Sequence, residues 1–469
     1  MLYNAIKDLY NGEIYFQHAL DHGMSATIVA EKTIGFTDVA DIKKYMTDLV
    51  EKDLPFRKKL ISKEDAVEFY EAHGLTEKAC NALAVPNVSV SMHELDGKYN
   101  YWFSHFLPES TGQLKEFDIY FVSENNIILI YPKEGDLTFT FRTKIYDSFK
   151  KYEEWLDKIG VKYVCDLNKI VSQGKAKDFV AKNDWAIDAN MLRICTQIID
   201  EKKKIILIGG PSSSGKTTTS KKMSLFFESQ GVKALPISMD DYFKNRDETP
   251  VGEDGKRDYE CLQAVDLNMF QADIQKLLNG EEVKLPTYNF LTGEKEWNHD
   301  PIKIDDKTVL VIEGLHALNP EVLKDLKDQT FRVYISPLTP ISVDRHNYIS
   351  TTDNRLLRRI VRDFRTRGRS VEASLATWDS VRAGEEKWIF PYTDQSDAIL
   401  NTAYIYELGI LKVYVEPLLQ SVPIDSDFYY DARRLLDSLR IFYPITSEYV
   451  NNTNLLREFI GGSAFEEGE

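Results

Sequence analysis

The feature that most constrains this chain is a glycine-rich turn between an apolar run and a helical pattern. The turn reads Gly210-Pro-Ser-Ser-Ser-Gly215-Lys216-Thr217 and follows the strand-like run 204–208. Glycine allows the backbone to wrap around a phosphate, and the N–H groups of such a turn face inward at the positive end of the helix dipole. Lys216 can reach the β- and γ-phosphates of a nucleotide, while the Thr217 hydroxyl can ligate Mg²⁺. The sequence therefore predicts a phosphate-binding loop.

The pattern around this loop also predicts the fold of its region. A helix is expected at 216–229, and further strands are expected at 234–238, 309–312 and 331–335. Strands that alternate with helices indicate a parallel sheet covered on both faces. We therefore predict an α/β fold with a parallel sheet for the second half of the chain.

The first half of the chain predicts a different, α+β region. This region mixes short helices and strands. Apolar residues at helical spacing predict a helix at 38–52, Ser62-Lys-Glu-Asp65 resembles a capping box at the start of the next helix, and an apolar run predicts a strand at 127–131. A more polar, helical connector follows. The domain boundaries that we predict are 1–165 for the α+β domain, 166–203 for the connector, 204–425 for the phosphate-loop domain and 426–469 for a C-terminal helical extension.

Composition limits the partners of the protein. The chain has 469 residues, too many for one hydrophobic core, and a formal net charge of -16. An acidic surface repels nucleic acid, so a small-molecule substrate is favoured. Four cysteines without CxxC pairing predict free thiols in a reducing compartment, and no apolar run reaches a membrane span of about 20 residues. We expect a cytoplasmic protein without a membrane anchor, and leave open whether it forms homo-oligomers.

Two acidic stretches follow predicted strands. Ser238-Met-Asp240-Asp241-Tyr242-Phe243 follows the second strand, at the edge where open α/β sheets bind ligands. A carboxylate there can accept a proton from an attacking hydroxyl; the alternative is a solvated turn acid. Glu313 ends the strand at 309–312 and can order Mg²⁺ or its water shell. The alternative for Glu313 is an ordinary carboxylate at a strand end.

A basic cluster stands out in this acidic chain. Its first four arginines are three or four residues apart, which predicts one face of a helix. Arginines that close over a triphosphate explain such a cluster, and an RNA-contacting helix is the competing explanation. The cluster consists of Arg355, Arg358, Arg359, Arg362, Arg365, Arg367 and Arg369.

Taken together, these motifs resemble the uridine kinase and phosphoribulokinase family over about residues 204–420. The resemblance implies a P-loop kinase that uses ATP and Mg²⁺ to phosphorylate a hydroxyl of a nucleoside. The implied catalytic residues are Asp240 as the general base, Lys216 and Arg362. The implied nucleotide contacts are Gly210, Ser212, Ser213, Ser214, Gly215, Lys216, Thr217, Thr218, Arg367 and Arg369. The implied acceptor contacts are Asp240, Tyr242, Glu260, Tyr288, Arg359 and Arg362, with Thr217 and Glu313 as metal ligands.

The sequence departs from the family where the acceptor binds. A Phe-Asp-His-Pro stretch is replaced by Tyr259-Glu260-Cys261-Leu262, in which Glu260 can supply the carboxylate for a ribose diol. Tyr288-Asn289-Phe290 keeps the aromatic residues of a Tyr-Asp-Phe motif, whereas Gly293 stands in place of a base-side histidine. We therefore expect a nucleoside kinase with base selectivity unlike that of uridine kinases. The alternatives are a kinase for another sugar or polyol, and an ATP-gated RNA-binding or regulatory protein.

The first half resembles the second additional (editing) domain of threonyl-tRNA synthetases. Lys52-Asp-Leu-Pro-Phe56 and Ser110-Thr-Gly-Gln-Leu-Lys115 carry this resemblance, and the combination with a uridine-kinase-like half resembles the fused bacterial nucleoside kinases. His18 and His22 have HxxxH spacing, but no cysteine stands near His105 to complete a ligand set. We expect neither a metal nor editing chemistry in this domain.

Overall fold

The computed structural model describes residues 1–101, 107–252, 255, 257–289, 292–339 and 341–465. Its helices are α1 (Leu2–Tyr10), α2 (Phe36–Lys52), α3 (Lys63–Ala72), α4 (Thr76–Ala84), α5 (Thr143–Ile159), α6 (Val164–Ser172), α7 (Ala176–Asp200), α8 (Lys216–Ser229), α9 (Leu267–Leu278), α10 (Thr351–Arg367), α11 (Val371–Ala376), α12 (Trp378–Trp388), α13 (Glu407–Gln420), α14 (Tyr429–Leu439) and α15 (Arg457–Ile460). Its strands are β1 (Glu13–Leu20), β2 (Gly23–Val29), β3 (Arg57–Ser62), β4 (Ser89–Leu95), β5 (Lys98–Asn100), β6 (Asp118–Ser123), β7 (Asn126–Ile130), β8 (Ile205–Gly209), β9 (Lys233–Ser238), β10 (Thr287–Asn289), β11 (Glu294–Glu296), β12 (Thr308–Gly314), β13 (Thr330–Ser336), β14 (Ser342–Asp344), β15 (Asn347–Tyr348) and β16 (Ala398–Asn401).

The chain divides into two compact units that are not continuous in sequence. The first comprises Met1–Ala176, Thr339–Asn354 and Ile405–Thr446, and the second comprises Lys177–Leu338, Arg355–Tyr404 and Ser447–Glu469. These units differ from the contiguous boundaries expected above, because two segments after residue 338 pack with the first unit. Local sequence patterns give the order of elements, whereas the packing of distant segments depends on side-chain complementarity that such patterns do not contain.

A five-stranded parallel sheet forms the centre of the second unit. Its strand order is β16-β13-β8-β12-β9, and every neighbouring pair is parallel. Glu313 pairs in register with Ile208 on one side and with Ser238 on the other, so three strand ends lie side by side at the carboxyl edge. The predicted α/β fold is thereby confirmed. The strand β16 was not expected from the sequence, because four residues carry too short an apolar pattern.

Helices cover both faces of this sheet, and alternate residues of each strand point to opposite faces. On one face, Ile205, Leu207, Leu310 and Ile312 of the strands pack in one cluster with Phe270 and Ile274 of α9. On the other face, Ile206, Ile208, Val309 and Val311 of the strands pack in one cluster with Ile194 of α7 and Phe227 of α8. The continuous apolar runs seen in the sequence therefore belong to strands buried on both sides.

The first unit is built from antiparallel strands and helices, as its α+β pattern predicts. One sheet has the order β1-β2-β7-β6, a second has the order β3-β4-β5, and β14 pairs with β15. The helix expected at 38–52 is α2, and the Ser62 hydroxyl caps α3 by accepting a hydrogen bond from the Asp65 N–H at 3.0 Å. The resemblance to a synthetase editing domain stays a prediction, and His105 lies outside the described residues.

Within the described ranges, no helix has both the length and the apolar character needed to cross a membrane.

Candidate active site

The phosphate-binding loop connects β8 to α8 with a backbone path that requires its glycines. Gly215 has a φ of 87°, and Ser213 also lies in the left-handed region at 60°. A Cβ at Gly210 would lie only 2.2 Å from the carbonyl oxygen of Ile335, so the neighbouring strand leaves no room for a side chain. The loop therefore has the tight, strand-to-helix geometry that the sequence predicts.

Two side chains at the start of α8 face the open edge of the sheet. The Lys216 ammonium donates to the carbonyl oxygens of Gly210 at 3.1 Å and Pro211 at 3.4 Å. The Thr217 hydroxyl donates to Glu313 Oε1 at 3.1 Å, and the Ser238 hydroxyl donates to the same oxygen at 3.1 Å. The loop and the ends of two further strands thus converge on one small volume.

The carboxyl groups at this edge have strongly perturbed protonation. Burial and the neighbouring Asp240 raise the pKa of Glu313 to about 7, although Lys216 and two hydroxyl donors oppose the shift. Burial also raises the pKa of Asp240, against the charges of Lys216 and Arg367. Two carboxyl groups held this close need a cation before both are ionised. The Glu313 carboxylate and the Thr217 hydroxyl, which are hydrogen-bonded to each other, both offer oxygen ligands of the kind that suits Mg²⁺.

Asp240 and Asp241 are adjacent in sequence but have different partners. Both acids lie in a 3₁₀ turn at Met239–Tyr242. Asp240 is close enough to Lys216 and Glu313 for their charges to act on one another. Asp241 instead accepts a hydrogen bond from the Tyr288 N–H at 3.1 Å. Asp240 is thus the acid that lies near the loop lysine.

Tyr242 is a correction to the predicted acceptor contacts. Its side chain is fully buried, and its hydroxyl donates to Asp273 Oδ2 at 3.2 Å in the core beside α9. The 3₁₀ turn directs the ring of Tyr242 inward, away from the open edge. The ring of Tyr288 is buried in the same core, 5.7 Å from that of Phe243. Phe290, the last residue of that motif, lies outside the described residues.

Glu260 does lie among the charges of the site. Burial, Glu385 and Asp240 raise the pKa of its carboxyl group to about 7, whereas Arg359 and Lys216 act in the opposite direction. The predicted acceptor carboxylate is therefore close to both the loop lysine and the basic cluster.

Six arginines of the basic cluster fall into two groups with different contacts, while Arg365 donates to the carbonyl oxygens of Glu458 and Phe459, both at 3.2 Å. Arg355 and Arg358 are fully buried and donate to loop carbonyls, at 3.1 Å to Ser212 O and 3.4 Å to Ser213 O. Arg358 also donates to the carbonyl oxygen of Thr402 at 2.8 Å. These two arginines support the backbone of the phosphate loop, and the lid role expected for the cluster does not extend to them.

The second group surrounds one buried carboxylate, that of Asp363. Its oxygens lie 3.4 Å from Arg359 Nε, 2.9 Å from Arg362 Nη2 and 3.4 Å from Arg367 Nη1. Burial and the neighbouring guanidinium groups lower the pKa of Arg367 to about 10. Three cations around one anion leave an excess of positive charge that suits a phosphoryl group. Exposed Arg369 follows at the end of this group.

Sequence reasoning missed Glu385, which contacts the loop directly. Its Oε1 accepts from the Ser212 N–H at 3.0 Å and from Arg355, and its Oε2 accepts from Arg382 at 3.0 Å. The three-residue spacing of Arg382 and Glu385 on α12, next to Gly384, is the only sequence signal that could have drawn attention to it.

The C-terminal residues that contact the loop were also missed. The Thr218 hydroxyl donates to Glu458 Oε2 at 2.7 Å across a separation of 240 residues. A Cβ at Gly215 would lie 2.4 Å from Leu455 Cδ2, so these two residues are in tight contact. A local sequence pattern does not indicate a contact between residues so far apart in sequence.

Part of this chain is similar to known proteins. Residues 205–406 match the model of the Phosphoribulokinase / Uridine kinase family. The uridine kinase of Macrococcus caseolyticus is 31% identical over 194 residues, which cover 41% of this chain and 86% of that protein. The uridine kinase of Bacillus pumilus is 28% identical over 178 residues, covering 38% and 77%. Among solved structures, D-glycerate 3-kinase from Cryptococcus neoformans is 13% identical, with a TM-score of 0.28 over 44% of this chain and 87% of that one.

Proposed function

This chain belongs to the phosphoribulokinase and uridine kinase family, and we propose from that premise that it transfers the γ-phosphoryl group of ATP to a hydroxyl of a nucleoside. The observation that carries the proposal is the meeting of Lys216, Asp240 and Glu313 at the carboxyl edge of the parallel sheet. A phosphate-binding lysine, a candidate base and a candidate metal ligand are the minimum that phosphoryl transfer requires.

In the proposed reaction, Asp240 orients the acceptor hydroxyl and takes its proton as the oxygen attacks the γ-phosphorus. Lys216 and the arginines around Asp363 stabilise the charge on the transferring group, and ADP leaves. Thr217 and Glu313 would hold Mg²⁺, which neutralises phosphate charge when bound. The raised pKa of Asp240 brings it closer to the range where a general base works well near neutral pH.

The acceptor is proposed to be a nucleoside because of Glu260 and because of the matched relatives. A carboxylate can accept hydrogen bonds from both hydroxyls of a ribose diol, and Glu260 lies close to Asp240. The two matched relatives are named uridine kinases. With Gly293 in place of a base-side histidine, base selectivity should differ from theirs, since the loss of one buried polar partner changes discrimination strongly.

A screen for ADP formation tests this function. Purified protein with Mg·ATP is offered ribonucleosides, deoxyribonucleosides, sugars and polyols, and Lys216→Ala serves as the inactive control. We expect ADP to form in proportion to a phosphorylated nucleoside. Strong preference for uridine and cytidine would contradict the altered selectivity, and preference for a sugar or polyol would overturn the nucleoside assignment. Tight, salt-sensitive tRNA binding without acceptor-dependent ADP would indicate the regulatory alternative.

A further inference from the structure

Residues 447–465 of the second unit, which we name the C-terminal segment, have an ordered internal structure. The Arg457 guanidinium donates to three carbonyl oxygens of the same segment, at 2.8, 2.8 and 3.2 Å. The side chains of Leu456 and Phe459 are fully buried. The C-terminal segment lies outside residues 205–406, which match the family, so its role has to be inferred from its own contacts.

The C-terminal segment contacts the start of α8, the helix that begins with the loop lysine. The Thr218 hydroxyl donates to Glu458 Oε2 at 2.7 Å. Three residues later on α8, the Lys221 ammonium donates to the carbonyl oxygen of Phe465 at 2.9 Å. The first turn of α8 is therefore attached to the C-terminal segment by two hydrogen bonds from side chains.

The C-terminal segment also contacts α10, the helix that carries the basic cluster. Arg365 donates through Nη2 to the carbonyl oxygen of Glu458 and through Nε to that of Phe459, both at 3.2 Å. The guanidinium group of Arg358 lies over the ring of Phe459, 5.1 Å from the ring centre. Glu458 thus contacts α8 through its side chain and α10 through its backbone.

The last turn of α10 has different partners on its two sides. Arg365 and Arg367 are two residues apart, or about 200° around a helix, so they extend in nearly opposite directions. Arg365 contacts the C-terminal segment, whereas Arg367 Nη1 lies 3.4 Å from Asp363 Oδ1. Arg367 is also close enough to Asp240 for their charges to interact. The helix end that is attached to Glu458 therefore presents a cation to the acids of the candidate site.

We propose that Glu458 is a positioning residue that fixes the phosphate loop relative to the arginines at the end of α10. The proposal rests on the proposed function, because it concerns the groups that stabilise the transferring phosphoryl group. Glu458 acts through Thr218 and Arg365 rather than on a substrate. Lys216 lies two residues before Thr218, and Arg367 lies two residues after Arg365. These two cations have to meet one phosphoryl group, and a displacement of about 1 Å can lower the rate about 100-fold.

Two variants test this arrangement, one on each side of Glu458. Thr218→Val removes the hydroxyl and keeps the branched shape, while Arg365→Met removes the guanidinium and keeps an unbranched side chain. Each should lower kcat by about 10- to 100-fold, because displaced cations stabilise the transition state less well. The KM for ATP should stay within about threefold of the parent, since Glu385 still holds the loop at Ser212.

The variant that carries both substitutions gives the decisive comparison. Because both contacts act through Glu458, the loss of either one already separates α8 from α10. The kcat of the double variant should therefore lie within about threefold of the slower single variant. Arg365→Lys keeps a donor for a carbonyl oxygen and should recover most of the loss. Arg193→Met, which removes an exposed arginine of α7, serves as the control. Losses that multiply in the double variant, or single variants within about twofold of the parent, would overturn the proposal.

Hydrogen exchange followed by mass spectrometry gives a second readout that does not depend on catalysis. Glu458→Ala removes the acceptor of the Thr218 hydroxyl. Peptides 216–222 and 359–367 should exchange faster than in the parent, whereas peptides from α9 should be unchanged. Unchanged exchange in either of the first two peptides, or faster exchange in α9 as well, would overturn the proposal. Faster exchange confined to the first two peptides, in a protein that forms no acceptor-dependent ADP, would support the role of Glu458 and contradict the proposed kinase function.

Discussion

The carboxylate of Glu385 accepts a hydrogen bond from the Ser212 N–H at 3.0 Å, so α12 holds the phosphate loop through its backbone. Arg355 completes the arrangement, because it donates both to Glu385 and to the Ser212 carbonyl. One peptide group on each side of Ser212 is thus held before any nucleotide binds. Such preorganisation avoids the cost of ordering the loop during the reaction.

The first prediction concerns the loop lysine. Lys216→Ala removes the cation next to Asp240 and Glu313 and should reduce phosphoryl transfer to background. The fold should survive, since Lys216 contacts only loop carbonyls within the described residues. Steady-state kinetics and circular dichroism check both expectations. ATP turnover at the level of the parent protein would rule out the loop as the site of the reaction.

The second prediction separates the two neighbouring acids. Asp240→Asn removes the proposed base and should lower kcat by at least about 100-fold, with little change in ATP affinity. Asp241→Asn leaves the acceptor of the Tyr288 N–H in place as an amide oxygen, and should cost less than about tenfold. Kinetics of both variants, with ATP binding measured by calorimetry, make the comparison. An active Asp240→Asn and an inactive Asp241→Asn would reverse the assignment.

The third prediction concerns the buried acid Glu313 in the absence of Mg²⁺. Its pKa is raised to about 7 from 4.5, so the folded state binds this proton more tightly than the unfolded state. Its contribution to stability is complete below about pH 4.5 and is lost as the pH rises towards 7. The Glu313→Gln variant has no carboxyl group to deprotonate at this position, so it does not lose this stability as the pH rises. At pH 8 the variant should be more stable than the parent by about 1 to 3 kcal/mol, although inactive.

Urea unfolding from pH 5 to pH 8 with a chelator measures this effect. The stability difference between Glu313→Gln and the parent should grow across that range, while exposed Glu71→Gln serves as the control for the loss of one negative charge. If the free energy of unfolding changed equally with pH in the parent and in Glu313→Gln, Glu313 would have to be ionised already at low pH in the folded protein.

The fourth prediction distinguishes supporting arginines from exposed ones. Arg358→Lys cannot donate to Ser213 O and Thr402 O together, because lysine lacks the planar fork. A buried acceptor is left without its donor, and the free energy of unfolding should fall by about 1 to 3 kcal/mol. The matched Arg369→Lys is exposed and should stay within about 0.5 kcal/mol. Similar stability losses in the two variants would contradict the division of the cluster.

The fifth prediction is that the first unit contains no zinc. His18 is buried, stacks on Phe149 with ring centres 3.8 Å apart, and lies 3.5 Å from Glu153. Such packing suits a structural histidine, and HxxxH spacing alone supplies only two ligands. Mass spectrometry of metals in purified protein should find less than about one zinc per ten chains. Stoichiometric zinc that is lost in His18→Ala would disprove the expectation.

The fold of the second unit could be predicted because its signals are local. The helix expected at 216–229 is α8, and the strand run at 331–335 lies inside β13, since continuous apolar runs mark strands that are buried on both faces. The residues of the loop motif could be predicted for the same reason, because their chemistry depends on spacings of a few residues.

The remainder of the site depends on contacts between residues that are distant in sequence, and the spacing of residues along the chain does not predict such contacts. Tyr242 follows the acids in sequence, yet the 3₁₀ turn sends its ring to Asp273 in the core. Arg358 belongs to the same helical face as Arg362, yet it is buried against loop carbonyls. Nothing near Glu385 indicates that it will meet Ser212. These roles follow from how elements pack, which a single sequence does not reveal.

The contact between Gly215 and Leu455 also has a consequence during synthesis of the protein. A ribosome adds about 5 to 20 residues per second, so the 240 residues between Thr218 and Glu458 take on the order of ten to fifty seconds. Throughout that interval the nascent phosphate loop lacks its contacts with Leu455 and Glu458. The loop is among the first parts of the second unit to be translated, yet its folded surroundings are complete only after residue 458 has left the ribosome.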